Sequence, residues 1–414
     1  MQHMILTEQE HNTFIENHPN GDLLQLSDWA TSKELTGWYS KRIAVGNGDE
    51  VKGVATLQFK KLPKVKYTLC YISRGFVVDY NDTLAVKALL ASAIEEAKKE
   101  HAYVIKIDPD IEETDREAFK LLKGLGFIHH GFVDGMSKDA IQPRQTMVTD
   151  VSLSDKELLN SFERNNRTRV RRALKTGTVV KKSDREGLKT FHELMKITGE
   201  RDGFLTRDIT YFESMYDALN PNGHMELFLV ELHGKEVREN LENDIKKVQK
   251  DIKKAEKNKD ETKRENLLEN LNNRLEKLNQ QVEETKYIEE KYPEGAVLSG
   301  ALYAQSGKKA YYLYGASSND FRDFLPNHHM QFHMMQYARA HGAESYDFGG
   351  VSVSPAKDSE YFGLWQFKSQ WGTKVSNKIG EFDFILNRPV YHLLNIAIPA
   401  AQKTKIALNR LRKK

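Results

Sequence analysis

Residues 235–292 restrict the fold more than any other stretch of this chain. Leu241, Ile245, Val248, Ile252 and Ala255 step by four and three, and after a polar break at 258–263 the series resumes at Leu268, Leu271, Leu275, Leu278 and Val282. The residues between are almost all polar. An apolar stripe this narrow cannot bury itself on a lone helix, so the pattern predicts two helices paired antiparallel through one turn, an inserted coiled-coil hairpin. Each arm would extend on the order of 30 Å. The alternative is a long solvated helix whose stripes do not pair. Antiparallel arms return the chain to its starting point, so the flanking stretches must be neighbours. Residues 227–232 and 295–303 are both apolar and strand-like, and they are read as one β-hairpin interrupted by the arm.

The rest of the chain repeats an order of elements. A helical pattern at 84–99 leads to an alternating strand at 103–107 that stops at Asp108, then a helix at 116–122 and the turn GLGF at 124–127. Later a helix at 330–341 leads to a strand at 345–348 containing Asp347, then a helix at 361–369 and Trp371-Gly372. Alternation of this kind predicts an α/β protein of two layered domains. A length of 414 residues agrees with that. The expected boundaries are 1–147, completed by 381–414, for the first domain and 148–380 for the second, with the arm at 235–292 inside it.

Several function classes drop out. No GxSxG elbow, P-loop or dinucleotide fingerprint is present, and GLGF has neither a strand before it nor a helix after it. His329 and His333 lie four apart but lack the Glu of HExxH, so no metal is expected. Cys70, the one cysteine, excludes an intrachain disulfide and fits a buried strand thiol in a reducing compartment. The N-terminus lacks the basic and apolar regions of a signal peptide, and no apolar run reaches the roughly 20 residues of a membrane span. A cytoplasmic protein is expected.

Three features point to chemistry. In 344–372, ESYDFGGVSVSPAKDSEYFGLWQFKSQWG, an apolar strand stops at Gly349-Gly350 and an aromatic helix carries Lys368 among Trp365, Phe367 and Trp371. Such a cation acts more strongly than one in water; the plainer reading is a solvated lysine on an amphipathic helix. Arg164, Arg167, Arg171 and Lys175 lie three or four apart and suit nucleic-acid phosphate, unless they are only a solvated face. Against 62 basic and 59 acidic residues overall, this concentration of charge favours a polyanion. In the strand YYLYG at 311–315, alternation puts Tyr312 and Tyr314 on one face, available either to a polar ligand or to the core.

Taken together these stretches resemble the Fem/MurM family, the aminoacyl-tRNA-dependent transferases that add amino acids to the stem peptide of cell-wall precursors. The resemblance is carried by QLSDWATSK at 25–33, SRGFVVDY at 73–80, YVIKIDPD at 103–110, IQPRQTMVTDVS at 141–152, TRVRRALKTG at 168–177, YYLYGASS at 311–318, YDFGGV at 346–351 and LWQFKSQWG at 364–372. It implies a pair of acetyltransferase (GNAT)-like domains. The acetyltransferase pyrophosphate loop, Q/R-x-x-G-x-G/A, is missing before the helix at 330–341, which argues against a CoA donor. No cofactor is implied, only aminoacyl-tRNA as co-substrate.

By resemblance, Lys33 and Arg207 contact the diphosphate of a precursor such as lipid II or UDP-MurNAc-pentapeptide. Tyr103, Asp108, Tyr211, Tyr312 and Tyr314 line the muropeptide groove, and Lys368 sits at the reacting ester. Its position at a strand end makes Asp108 a candidate proton acceptor, with a substrate-assisted relay through the terminal ribose hydroxyl equally open, and Asp347 is read as structural. The basic helix and the arm are candidates for tRNA. Two other classes stay open: a CoA-dependent N-acyltransferase and a non-catalytic RNA-binding protein. The tail from Leu393 to Lys414 mixes isoleucines with lysines and arginines, fitting either an anionic lipid surface or a packed terminal helix.

Overall fold

The structure is a computed structural model and describes residues 1–137, 140–353, 355–359 and 361–394. The basic stretch of the tail lies outside these residues. In chain order the first sheet takes β1 (Gln2–Met4), β2 (Trp38–Asn47), β3 (Glu50–Lys61), β4 (Thr68–Ile72), β5 (Val77–Val78), β6 (Ala102–Ile107) and β7 (Ile128–His129). The second takes β8 (Gln145–Asp150), β9 (Thr178–Ser183), β10 (Met225–Leu232), β11 (Ala296–Ser306), β12 (Lys309–Ser317), β13 (Ser345–Gly350) and β14 (Lys374–Asn377). The chain then returns, and β15 (Phe382–Ile385) inserts into the first sheet between β6 and β7.

The repeated order of elements becomes one repeated motif. In the first sheet β4 and β6 run parallel, joined by the helix Thr83–Lys99. In the second, β12 and β13 run parallel, joined by the helix Pro326–Ala340. A parallel pair needs such a crossover. The first crossover starts where Asp82 accepts a hydrogen bond from the Ala85 N–H at 3.0 Å. Its buried stripe, Val86, Leu89, Leu90 and Ala93, packs on Ile43, Leu57 and Ile105 of the sheet. Removing the Leu89 side chain there would cost about 2–5 kcal/mol. The architecture is the doubled α/β fold that the family resemblance implies.

A core shared by both halves fixes how the sheets face each other. Ile15, Leu24, Trp29 and Val54 of the first half pack with Phe191, Phe212, Leu227 and Leu302 of the second. His224, just before β10, reinforces this contact by bonding Glu16 at 2.7 Å and Asp28 at 2.6 Å. The site described below lies along this junction.

Between β10 and β11, which pair directly across Leu232 and Ala296, the chain makes two helices, Gly234–Ala255 and Glu261–Lys291. Val248, Ala255 and Leu278 are buried between them, and Arg238 bonds Glu289 at 2.6 Å across their base. Val237 and Ile288 pack with Leu232, Leu298 and Phe324, anchoring the pair to the second sheet.

Candidate active site

Lys368 sits on the short helix Phe362–Ser369 and is only 6% exposed. Its sequence neighbours Phe367 and Trp371 join Phe348 in an aromatic cluster, with Phe348 and Trp371 stacked at 6.1 Å. Its Nζ donates to the Gly350 carbonyl at 2.6 Å. Burial pulls the ammonium down to about 8, although the charge on Asp347 works in the opposite direction. Gly349 has φ +79°, and a Cβ there would lie 3.7 Å from Nζ. Gly349 thus gives the strand its left-handed turn, and the ammonium lies buried directly behind this edge, outside the residues that line the cavity described next.

That edge opens a cavity. β13 pairs with β12 as far as Asp347, opposite Tyr311, then loses register and next pairs at Gly350 with Thr146 of β8. The wedge contributes Asp347, Gly349, Tyr311 and Tyr312 to a cavity of about 420 Å³, whose opposite wall is Asp22, Arg74 and Asp110 from the first half. Past Lys309 and Ser345 it continues into a cleft of about 890 Å³.

Charges along the cavity are paired across the two sheets. Burial alone would raise the Asp110 carboxyl, but Lys309 at 2.5 Å and Lys378 at 2.8 Å hold it well below the usual carboxylate range. Tyr311 donates to Asp22 at 2.9 Å. Asp108 lies in an adjoining recess with Arg74, Gln142 and Lys378. It accepts from the Tyr71 hydroxyl at 2.9 Å and the Arg74 N–H at 2.8 Å. Burial outweighs these bonds and the Arg74 charge, lifting Asp108 to about 7. Asp347 is also raised by burial, while its Oδ1 accepts the Gly349 N–H at 2.6 Å.

A second group of candidates converges elsewhere along the junction. Lys33, at the end of the helix Ser27–Ser32, lies 3.8 Å over the Trp29 ring and donates to the Tyr211 hydroxyl at 3.1 Å. Tyr211 bonds Tyr314 at 3.2 Å, and the Arg207 guanidinium lies 5.2 Å over the Tyr211 ring. Burial lowers Lys33, and the Arg207 charge adds to this. Burial would raise Tyr211, yet the Lys33 ammonium, the bond with Tyr314 and the Arg207 charge together more than offset it. Two cations sharing one tyrosine make a site suited to an anion with several oxygens.

The FemAB family model matches residues 6–398. The chain belongs to the FemAB family. It is 56% identical over 416 residues to the lipid II:glycine glycyltransferase of Staphylococcus aureus, covering 99% of each chain. The protein of that name from Staphylococcus saprophyticus is 55% identical over the full length of both. A crystal structure of FemX superposes with a TM-score of 0.88 at 58% identity, covering 95% of this chain and all of that one.

The remaining candidates of this FemAB chain are dispersed. Tyr103 packs against Tyr391 in a cluster with Leu62, Tyr67 and Ile385, not among the residues lining the cavity. Arg164 and Arg171 project into solvent from the helix Arg164–Ala173, whose other face buries Val170 and Ala173. Arg167 is half-buried and bonds the Phe162 carbonyl at 3.3 Å. Lys175 lies beyond the helix, in the turn that follows, so it does not extend the helical row that its spacing suggested.

One expectation is corrected outright. Tyr312 and Tyr314 do not share a face. Leu302 pairs with Tyr314 and Tyr303 with Tyr312, so Leu313 is an extra residue and the alternation flips there. Tyr314 packs against Phe212 in the core between the halves, whereas Tyr312 packs against Phe348 on the other side of the sheet. The Tyr312 hydroxyl occupies the space a Cβ would need at Gly315, so this placement of the Tyr312 ring requires a glycine there.

Arg74, Asp110, Lys309 and Lys378 line the cavity and were missed. Arg74 and Asp110 fall within the matched stretches SRGFVVDY and YVIKIDPD, and that was the available signal. Lys309 and Lys378 belong to no motif.

Proposed function

We propose that this chain transfers an amino acid from aminoacyl-tRNA to an amine of a peptidoglycan precursor. The amine belongs to the stem-peptide lysine or to a residue already on the branch, and the product is a lengthened interpeptide bridge. An aminoacyltransferase is what FemAB membership and the named glycyltransferase relatives carry; the donor, the acceptor and the acting residues are the proposal. The observation that carries it is the Lys368 ammonium, buried at a glycine edge that opens into the cavity between the sheets.

The neutral acceptor nitrogen attacks the ester carbonyl carbon of the charged tRNA, forming a C–N bond and a tetrahedral oxyanion. Lys368 stabilises that oxyanion without a water shell to rearrange. Collapse breaks the carbon–oxygen bond to the terminal ribose, and the proton lost by the amine ends on the ribose oxygen. Asp108 would take the proton first. At about 7 it is a stronger base than an ordinary carboxylate, as that role requires. Lys33 and Arg207 bind the precursor diphosphate, Tyr211 and Tyr314 orient them, and Tyr312, which lines the cavity, contacts the peptide. Arg164, Arg167, Arg171 and Lys175 hold the tRNA by its phosphates. We divide the chain into a first domain, 1–147 completed by 381–414, and a second, 148–380, with the arm at 235–292 inserted in the second.

The test is to incubate the protein with a pool of charged tRNAs and a lysine-containing precursor, then weigh the product. A precursor heavier by one or more amino-acid residues is expected. Binding of tRNA with an unchanged precursor mass would leave a non-catalytic RNA-binding protein. Transfer from acetyl-CoA in place of tRNA would leave a CoA-dependent acyltransferase.

A further inference from the structure

Four large apolar side chains stand in solvent beside the Lys33–Arg207 cluster: Leu205 is 97% exposed, Leu35 58%, Val65 49% and Phe204 45%. Single exposed apolar residues are ordinary; the placement of these is not. Leu35 follows Lys33 by two residues and Leu205 precedes Arg207 by two, and both cations meet at Tyr211. Lys60, at the end of β3, bonds the Thr36 carbonyl. That contact places the loop 62–67, with Lys64, Val65 and Lys66 exposed, at the end of the sheet where the Leu35 turn lies. Among the described residues, Lys33, Lys64, Lys66 and Arg207 take part in no ion pair. Leu394, the last described residue, packs in the cluster of Leu62 and Tyr67 at the same end.

We propose that the 203–207 loop, the Glu34–Thr36 turn and the 62–67 loop form the surface with which the protein docks on an anionic lipid bilayer. Leucine, phenylalanine and valine at loop tips enter the interface between headgroups and acyl chains, while unpaired ammonium groups beside them meet the headgroup phosphates. The charge complementarity selects this partner: an apolar protein partner would leave Lys64 and Lys66 unmatched. The inference rests on the function proposed above, since it sets Lys33 and Arg207 at the depth where the diphosphate of a lipid-linked precursor lies.

Sedimentation of the full chain with phosphatidylcholine vesicles, with and without phosphatidylglycerol, tests it. The wild type is expected to bind the anionic vesicles. The pair Phe204→Ser and Leu205→Ser is expected to weaken that binding about tenfold or more. Lys64→Glu with Lys66→Glu is expected to remove most of the dependence on phosphatidylglycerol. Transfer onto a water-soluble precursor should be unchanged in both variants, whereas transfer onto precursor embedded in vesicles falls along with binding. A wild type that ignores anionic vesicles overturns the proposal. So does a serine variant that binds them fully, because another part of the chain would then hold the bilayer. Absence of transfer by the wild type to both the soluble and the vesicle-embedded precursor would sink the catalytic reading and leave the vesicle-binding result to stand or fall separately.

Discussion

Lys33 and Lys368 are both lysines drawn below their ordinary pKa by burial, and they are held in opposite ways. Lys368 is buried, with a carbonyl as its hydrogen-bond partner and one carboxylate, Asp347, acting on its charge. Lys33 lies between the faces of Trp29 and Tyr211, with a second cation, Arg207, on the same tyrosine. A lone ammonium in a dry wall is poised to meet a charge that appears during reaction. Paired cations at a half-buried edge suit an anion that is present throughout. The first arrangement should govern turnover and the second affinity.

The sharpest way to break that distinction is Lys368→Met. Turnover should fall by roughly a hundred- to a thousandfold, about 3–4 kcal/mol, with precursor binding nearly unchanged. Thermal stability at neutral pH should not fall. A folded-state pKa below the unfolded value means that the buried ammonium costs stability below about pH 8, and the cost fades as pH rises toward 10.5. A variant that turns over normally would end the catalytic role of Lys368.

The pH profile follows in size. If the protonated form is the active one, kcat declines above about pH 8, approaching tenfold per unit. In Lys368→Arg that alkaline limb should disappear, since guanidinium stays charged. An unmoved limb would assign it to another group.

Arg207→Ala should raise KM for a diphosphate-bearing acceptor about tenfold while leaving kcat nearly intact. A loss confined to kcat would erase the contrast between the two sites. The smallest effect is expected from Tyr211→Phe, which removes the bonds to Lys33 and Tyr314 but keeps the ring under Arg207. A severalfold rise in KM, about 1 kcal/mol, is expected in the same assay.

Much of the fold was legible because it depends on local periodicity. The helix–strand–helix order around Asp108 and Asp347 reappears as two parallel strand pairs with crossover helices. The stripes at 241–255 and 268–282 become two helices between strands that pair directly. The candidate site was legible only in part. Lys368 stood out through its aromatic neighbours and Lys33 and Arg207 through family motifs, but the cavity wall of Arg74, Asp110, Lys309 and Lys378 had no local signature. Those four residues come from distant parts of the chain, and nothing in their own neighbourhoods requires them to meet.

The sequence by itself determined the elements, the α/β class, the helical insertion and which side chains could carry charge, since each depends on residues a few positions apart. Only the tertiary structure decided that one extra residue at Leu313 turns Tyr312 away from Tyr314. Only it decided that β13 leaves β12 after Asp347 and opens the cavity beside Lys368. Strand register and the facing of two sheets are set by contacts hundreds of residues apart, where core packing outweighs local alternation.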